Sequence, residues 1–201
     1  YGRSISCFAI SGSNLFAGSY DGSVFRSTDN GTSWTAVKNA SPTNGITFLA
    51  ASGFNLFAGT FDVGIVLSTD KGESWTTVNN GLTNTHVSSF AVSDANLFAG
   101  TNGGGVFLST DNGTSWKAVN NGLTNTYVSS FAVSGANIFA GTRGGVFLST
   151  DNGANWIAVN NGLQGYAISS LAVSGANLFA GSSNRGIFRS TDNGASWTAV
   201  N

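Results

Sequence analysis

Cysteine and histidine occur once each, at Cys7 and His86, and methionine does not occur. A single cysteine excludes an internal disulfide, so no covalent staple holds the fold. No histidine lies near Cys7 in sequence, and a small buried apolar role fits it better than metal binding or catalysis. The lone His86 suggests no Ser-His-Asp or Cys-His arrangement. A chain without even an initiator methionine reads as one trimmed by export processing or excised from something larger. Charge is scarce: Asp, Glu, Lys and Arg make up 8% of the residues and the net charge is −1, where roughly 25% charged residues is usual for soluble domains. No basic stripe is present, so nucleic acid is not an expected partner. No apolar run approaches the roughly 18 residues of a membrane span, and no stretch has helical periodicity. The surface must be wetted by Asn, Ser, Thr and Gly instead of ions. That habit suits secreted proteins, so an extracellular or cell-surface location is expected.

What the chain does have is repetition. Hydrophobic residues are 41% and aromatics 12%, enough for a sizeable core. The octet STDNGTSW at Ser109–Trp116 recurs as STDNGTSW from Ser27, STDKGESW from Ser68, STDNGANW from Ser149 and STDNGASW from Ser190. The octets end at Trp34, Trp75, Trp116, Trp156 and Trp197, spaced 41, 41, 40 and 41 residues apart. The short interval arises where TNGGGVFL, from Thr101, becomes TRGGVFL, from Thr142. Periods of this length mark repeat architectures.

Each unit reads as four short strands. In the fourth unit these are Ser129–Val133, Ile138–Thr142, Gly145–Ser149 and Trp156–Val159, separated by SGAN, a Gly-rich turn and TDNGAN. Several runs are apolar at consecutive positions, so both faces of each sheet should be covered. Five such sheets satisfy one another best by closing into a ring. The expected fold is an all-β, five-bladed β-propeller with four antiparallel strands per blade. It forms one domain over 1–201, with blades at approximately 1–40, 41–81, 82–122, 123–162 and 163–201. An open solenoid would want polar outer faces on its end units, and units one and five are as apolar as the others. No strand is exchanged to latch the first blade to the last, so closure would rest on packing of blade one against blade five.

The octet, S-x-D-x-G-x-x-W at all five copies, resembles the Asp-box or BNR repeat of sialidase-like, sortilin-type and photosystem-assembly-factor propellers. The resemblance covers the whole chain and places the octet at the turn between the third and fourth strands of each blade. It implies a structural role for Asp29 and Trp34, Asp70 and Trp75, Asp111 and Trp116, Asp151 and Trp156, and Asp192 and Trp197. The physics agrees. An Asp can accept bonds from backbone N–H groups of its own turn, Gly supplies a positive φ, and Trp can fill the gap between sheets. Burying an indole of ~200 Å² at ~25 cal/mol per Å² is worth roughly 5 kcal/mol before entropy, so Trp should dominate stability and Asp should fix turn shape. Each turn offers one carboxylate and lacks the D-x-[DN]-x-[DN]-G ligand pattern, so no metal site and no cofactor are expected.

The resemblance to sialidases raises the question of catalysis. That chemistry, as the family implies, needs an arginine cluster, a Tyr–Glu nucleophile pair and an acid, and glycosidases in general need two carboxylates. Outside the octet aspartates only Asp21, Asp62, Glu73 and Asp94 remain, and only Asp21 and Asp62 share one side of the ring. No three-arginine cluster is suggested by Arg3, Arg26, Arg143, Arg185 and Arg189. The expectation is a non-enzymatic chain.

A binding site is sought by comparing the units. Turns on the octet side hardly change: SGSN, SGFN, SDAN, SGAN and SGAN. Turns between second and third strands differ: SYDGSV, TFDVGI, TNGGGV, TRGGV and SSNRGI. So do the connections NASPTNG, NGLTNTH, NGLTNTY and NGLQGY. Function tends to sit on variable loops carried by a rigid scaffold. The candidates are Tyr20, Asp21, Phe61, Asp62, Asn102, Arg143, Asn184 and Arg185, with His86, Tyr127 and Tyr166 nearby. Tyr127 and Tyr166 fit blade packing equally well, and Phe48 fits packing better than function. Drift in loops without function would leave the same pattern. Two roles follow: a recognition module taking a glycan or protein ligand, or a weakly charged structural subunit that self-associates into an array or filament.

Overall fold

In the computed structural model, residues 4–37 and 45–200 are described; Arg3 and the connection at 38–44 lie outside them. The described residues contain no helix and form five four-stranded antiparallel sheets. The first comprises Ile5–Ser11, Asn14–Ser19, Val24–Ser27 and Thr35–Ala36, hydrogen-bonded in chain order. The fourth comprises Val128–Ser134, Asn137–Thr142, Gly145–Ser149 and Ile157–Ala158. The fifth opens on Ile168–Ser174 and closes on Thr198–Ala199. The up-and-down order puts the octet turns and the SGAN-type turns on one rim of every sheet, and the second-to-third turns on the other.

The fourth strand is the one that departs from expectation. It is two residues long in each sheet, and in sheets two to five the preceding Trp leaves the ladder to face the neighbouring sheet. Pairing still resumes beyond it: Val159 N–H donates to Val146 O at 2.9 Å.

Each first strand carries a bulge that skips one residue: Ser6, Thr47, Ser88, Ser129 or Ser169. A bulge re-aims a side chain, and here it turns a hydroxyl toward the next sheet. Ser6 Oγ donates to Ile46 O at 2.6 Å and Thr47 Oγ1 to Val87 O at 2.7 Å. Ser88 donates to Val128 O and Ser129 to Ile168 O in the same way. Glycine in the second strand lets the sheets close: a Cβ at Gly141 would run into Ile168 and Leu171 of the next sheet.

Four apolar clusters fill the spaces between successive sheets: one to two around Phe16 and Ile46, two to three around Phe57 and Trp116, three to four around Phe98 and Trp156, four to five around Phe139 and Trp197. Phe48 is one of these packing residues, its ring 4.9 Å from that of Phe90. Cys7 also packs, over Gly18 and against sheet two, and burial pushes its thiol up from the ordinary value. Among the described residues no such cluster joins sheet five to sheet one. There Phe8 and Ile10 are 65% and 68% exposed.

Trp116, Trp156 and Trp197 are the expected wedges. Each is at most 5% exposed, and each indole N–H donates to a carbonyl of the preceding sheet or its edge: Val78, Val119 and Val159, at 2.7–2.8 Å. Trp75 and Trp34 depart from this. The Trp75 indole bonds Gly72 O of its own turn, and Trp34, with no sheet before it, is 39% exposed.

Candidate functional site

The octet rim is a closed hydrogen-bond circuit repeated five times. The octet serine ends the third strand and is about 1% exposed in every copy. Its hydroxyl donates to Oδ1 of the Asp two residues on at 2.7–2.8 Å. It also accepts from the Gly N–H four residues on at 2.7–2.8 Å. Asp Oδ1 accepts a backbone N–H four residues on at 2.9 Å. Oδ2 accepts the side chain of that same residue at 2.5–2.7 Å. Positive φ falls on two residues and not only on Gly: Asn30, Asn112, Asn152 and Asn193 lie at 55–56°, and Lys71 at 62°. Asn tolerates this region and Lys does so poorly, which is the local reason for D-N-G.

These bonds favour the charged carboxylate. The Ser33 and Ser74 side-chain hydroxyls are the main cause holding Asp29 and Asp70 down to about 2. Ser196 does the same for Asp192, to about 2. The Ser115 hydroxyl and the Asn155 amide lower Asp111 and Asp151. Both oxygens of each Asp are thus engaged within the turn. Sequence reasoning gave the octet to Asp and Trp; the buried hub is the serine.

The loop rim is the reverse. Tyr20, Phe61, Asn102, Arg143 and Ser183 occupy one equivalent position, and at four of the five the backbone N–H is bonded to the strand entry beside it. The N–H groups of Tyr20, Asn102, Arg143 and Ser183 donate to Ser4, His86, Tyr127 and Ala167 carbonyls at 2.9–3.2 Å. Only the side chain changes from unit to unit. Tyr20 and Phe61, 57% and 43% exposed, stack with centroids 6.4 Å apart and planes 16° from parallel. Phe61 meets His86 edge-on at 5.6 Å, extending the row over three sheets. The Arg143 guanidinium lies 4.3 Å from the Tyr127 ring centroid, and Arg185 lies 5.3 Å from that of Tyr166. Tyr127 is 41% exposed, whereas Tyr166 packs partly on Phe188.

The remaining candidates divide. Asp21 is bound into its own turn, accepting from Ser19 Oγ at 2.5 Å and Ser23 N at 3.0 Å. Asn102 makes a backbone bridge to Tyr127. Asp62 and Asn184 are exposed. The connections are also less variable than they read. Their N-N-G-L segment is a clamp: Asn120 Oδ1 accepts Val106 N at 2.7 Å, Asn121 O accepts Trp156 N at 2.8 Å, and Gly122 lies so close to the Trp156 carbonyl that no Cβ fits.

One residue was missed. Phe54, 89% exposed, stands on the octet rim where other units have Ser or Ala, beside a cleft of about 600 Å³ with Asn14, Asp70 and Lys71. Its signal was present in SGFN, hidden because that turn was read as constant. Among the described residues no three His, Cys, Asp or Glu side chains group as metal ligands, and no helix is long and apolar enough to cross a membrane.

No protein-family model matches the chain, and no curated protein matches it in sequence. Solved structures match its fold. An ancestral GH74 enzyme aligns with 99% of this chain at a TM-score of 0.82 and 21% identity. YCF48 bound to D1 peptide aligns with 98% at 0.75 and 14% identity, and this chain covers 68% of it. The extracellular domain of the putative one component system BT4673 from B. thetaiotaomicron aligns with 94% at 0.76 and 16% identity, with 27% of its chain covered. The fold is therefore that of propeller proteins, which include enzymes, binding proteins and extracellular domains.

The GH74 similarity corrects the expectation of a non-enzymatic chain. This chain spans 31% of that enzyme's length. The exclusion rested on finding no arginine cluster, and no carboxylate pair beyond Asp21 and Asp62, within 201 residues. That argument fails for a fold in which a stretch of this size is one part of an enzyme.

Proposed function

We propose that this chain is a recognition module whose loop rim takes a glycan or protein ligand. The observation that carries the reading is the row Tyr20–Phe61–His86, two exposed stacked rings and an imidazole carried at successive sheets. Exposed aromatic faces offer a sugar ring apolar contact, while Asp62 and Asn102 beside them offer hydrogen bonds. A glycan is the first reading. The Tyr127–Arg143 and Tyr166–Arg185 pairs favour a protein ligand as the second, since Tyr and Arg are the usual interface anchors. The YCF48 structure with its peptide supports that second reading by analogy of fold only.

The five octets are Asp-boxes in this reading, supported by the identical Ser–Asp–Gly circuit in each copy, and the whole chain is one domain. An extracellular or cell-surface location is supported by the 8% charged residues and by the likeness to an extracellular domain. A glycan array, followed by titration calorimetry on any hit, tests the reading. Tyr20→Ala and Phe61→Ala should lower affinity tenfold or more at unchanged melting temperature. A hit that both variants bind as tightly as the parent would overturn it.

A further inference from the structure

The two end sheets expose faces that the interior joints cover. The face of sheet five that looks away from sheet four carries Ala172, Phe179 and Gly181. Their counterparts pack on the following sheet: Ala132 is 7% exposed, and Phe16, Phe57, Phe98 and Phe139 are at most 1% exposed, whereas Ala172 is exposed and Phe179 only half-buried. A Cβ at Gly141 meets Ser130 of its own sheet and Ile168 and Leu171 of the next, whereas the nearest atoms to one at Gly181 all belong to Ser169 and Ser170 of its own sheet. Sheet one, at its opposite face, carries Ile5, Phe8 and Trp34, at 40%, 65% and 39% exposure. Their counterparts Ile168 and Trp197 are 2% and 5% exposed, and Leu49, the counterpart of Phe8, is 7%.

The internal repeat makes these faces complementary, because each interior joint is already a sheet-five-type face seated on a sheet-one-type face. We propose that the sheet-five face of one molecule binds the sheet-one face of a second copy of this chain, reproducing the interior joint between molecules. Phe8 and Ile5 then fill the slot over Gly181, as Leu171 and Ile168 fill that over Gly141. The Trp34 indole N–H donates to Val200 O, as Trp197 donates to Val159 O. Ser169 Oγ donates to Ile5 O, as Ser129 does to Ile168 O. A net charge of −1 opposes the contact little. Arg189 is the one charged side chain on the sheet-five face. Its counterpart Arg26 reaches across an interior joint to Lys71 O at 3.4 Å and Glu73 at 3.1 Å, and its partners in the second copy are the equivalent Asn30 and Thr32. The contact is heterologous, so copies add head to tail until a ring closes or a filament grows.

Analytical ultracentrifugation over a wide concentration range tests this with two variants, Phe8→Glu on one face and Ala172→Glu on the other. Both side chains are exposed, so at concentrations where the parent is monomeric circular dichroism and melting temperature should match parental values. The parent should exceed monomer mass increasingly with concentration, and each variant alone should stay monomeric. An equimolar mixture of the two should give a one-to-one dimer and nothing larger, because one intact face remains on each. A parent that is monomeric throughout, a variant that self-associates like the parent, or a mixture that stays monomeric would each overturn the proposal. The first of these, with both variants melting earlier, would instead mean that sheet five packs on sheet one within a single chain.

Discussion

The two rims use one repeating backbone in opposite ways. On the octet rim the side chains are nearly constant and their polar atoms bond one another: Ser109 to Asp111, Asp111 to Ser115, Gly113 back to Ser109. On the loop rim the backbone N–H groups of Tyr20, Asn102, Arg143 and Ser183 are bonded while the side chains differ, so that one position reads Tyr, Phe, Asn, Arg and Ser through the five units. Constant side chains go with architecture, and in the proposed reading the varied side chains serve recognition. Mutations should therefore move stability on one rim and binding on the other.

The largest stability effect is expected from Trp156→Ala. The indole fills a joint and bonds Val119 O, and truncating such a core aromatic costs about 3–5 kcal/mol. At about 2–4 °C per kcal/mol for a chain of this size, thermal unfolding should show a drop on the order of 10 °C. Trp34→Ala, at the same octet position but 39% exposed, should lower it far less; equal losses would break the assignment of Trp to the joints. Next comes Ser109→Ala, which strands the Gly113 N–H, at about 1–3 kcal/mol. Asp111→Ala should cost less, because its two bonds from Ser115 are exposed to water, and calorimetry ranking Asp above Ser would contradict the hub.

Acid should act on this rim too. The octet carboxylates sit below the ordinary 3.8, at about 2 for Asp29, Asp70 and Asp192. A depressed carboxylate stabilises the fold above its unfolded value and loses that contribution as pH falls through the folded one. Melting temperature should therefore decline between about pH 4 and pH 2, and Asp111→Ala should flatten the decline slightly. The smallest effect is Lys71→Asn. It relieves a lysine at φ 62° and should raise the melting temperature marginally.

Most of the fold could be read from the sequence because a repeat shows its own template. The four strands of the fourth unit are found within one residue of their expected places, and Gly145–Ser149 is found as read. The fourth strand was overestimated because Trp156 looks like a β residue by type, and only a neighbouring sheet reveals that it turns away. The joint between sheets five and one was not legible either, since apolar end units are equally compatible with a closed ring and with uncovered faces. On the loop rim, Tyr20 and Phe61 were legible as variable and aromatic. Their stacking with each other and the edge contact of Phe61 with His86 were not, because residues 20, 61 and 86 are brought together only by the angle between sheets. Asp21 was legible as a carboxylate but not as one bonded into its own turn by Ser19 and Ser23.

The most direct test sets one variant from each rim side by side on a ligand identified by glycan array. Phe61→Ala should lose at least tenfold in affinity by calorimetry while melting with the parent, and Ser109→Ala should melt several degrees earlier while binding as the parent does. Affinity lost with Ser109→Ala and kept with Phe61→Ala would contradict the division of labour between the rims.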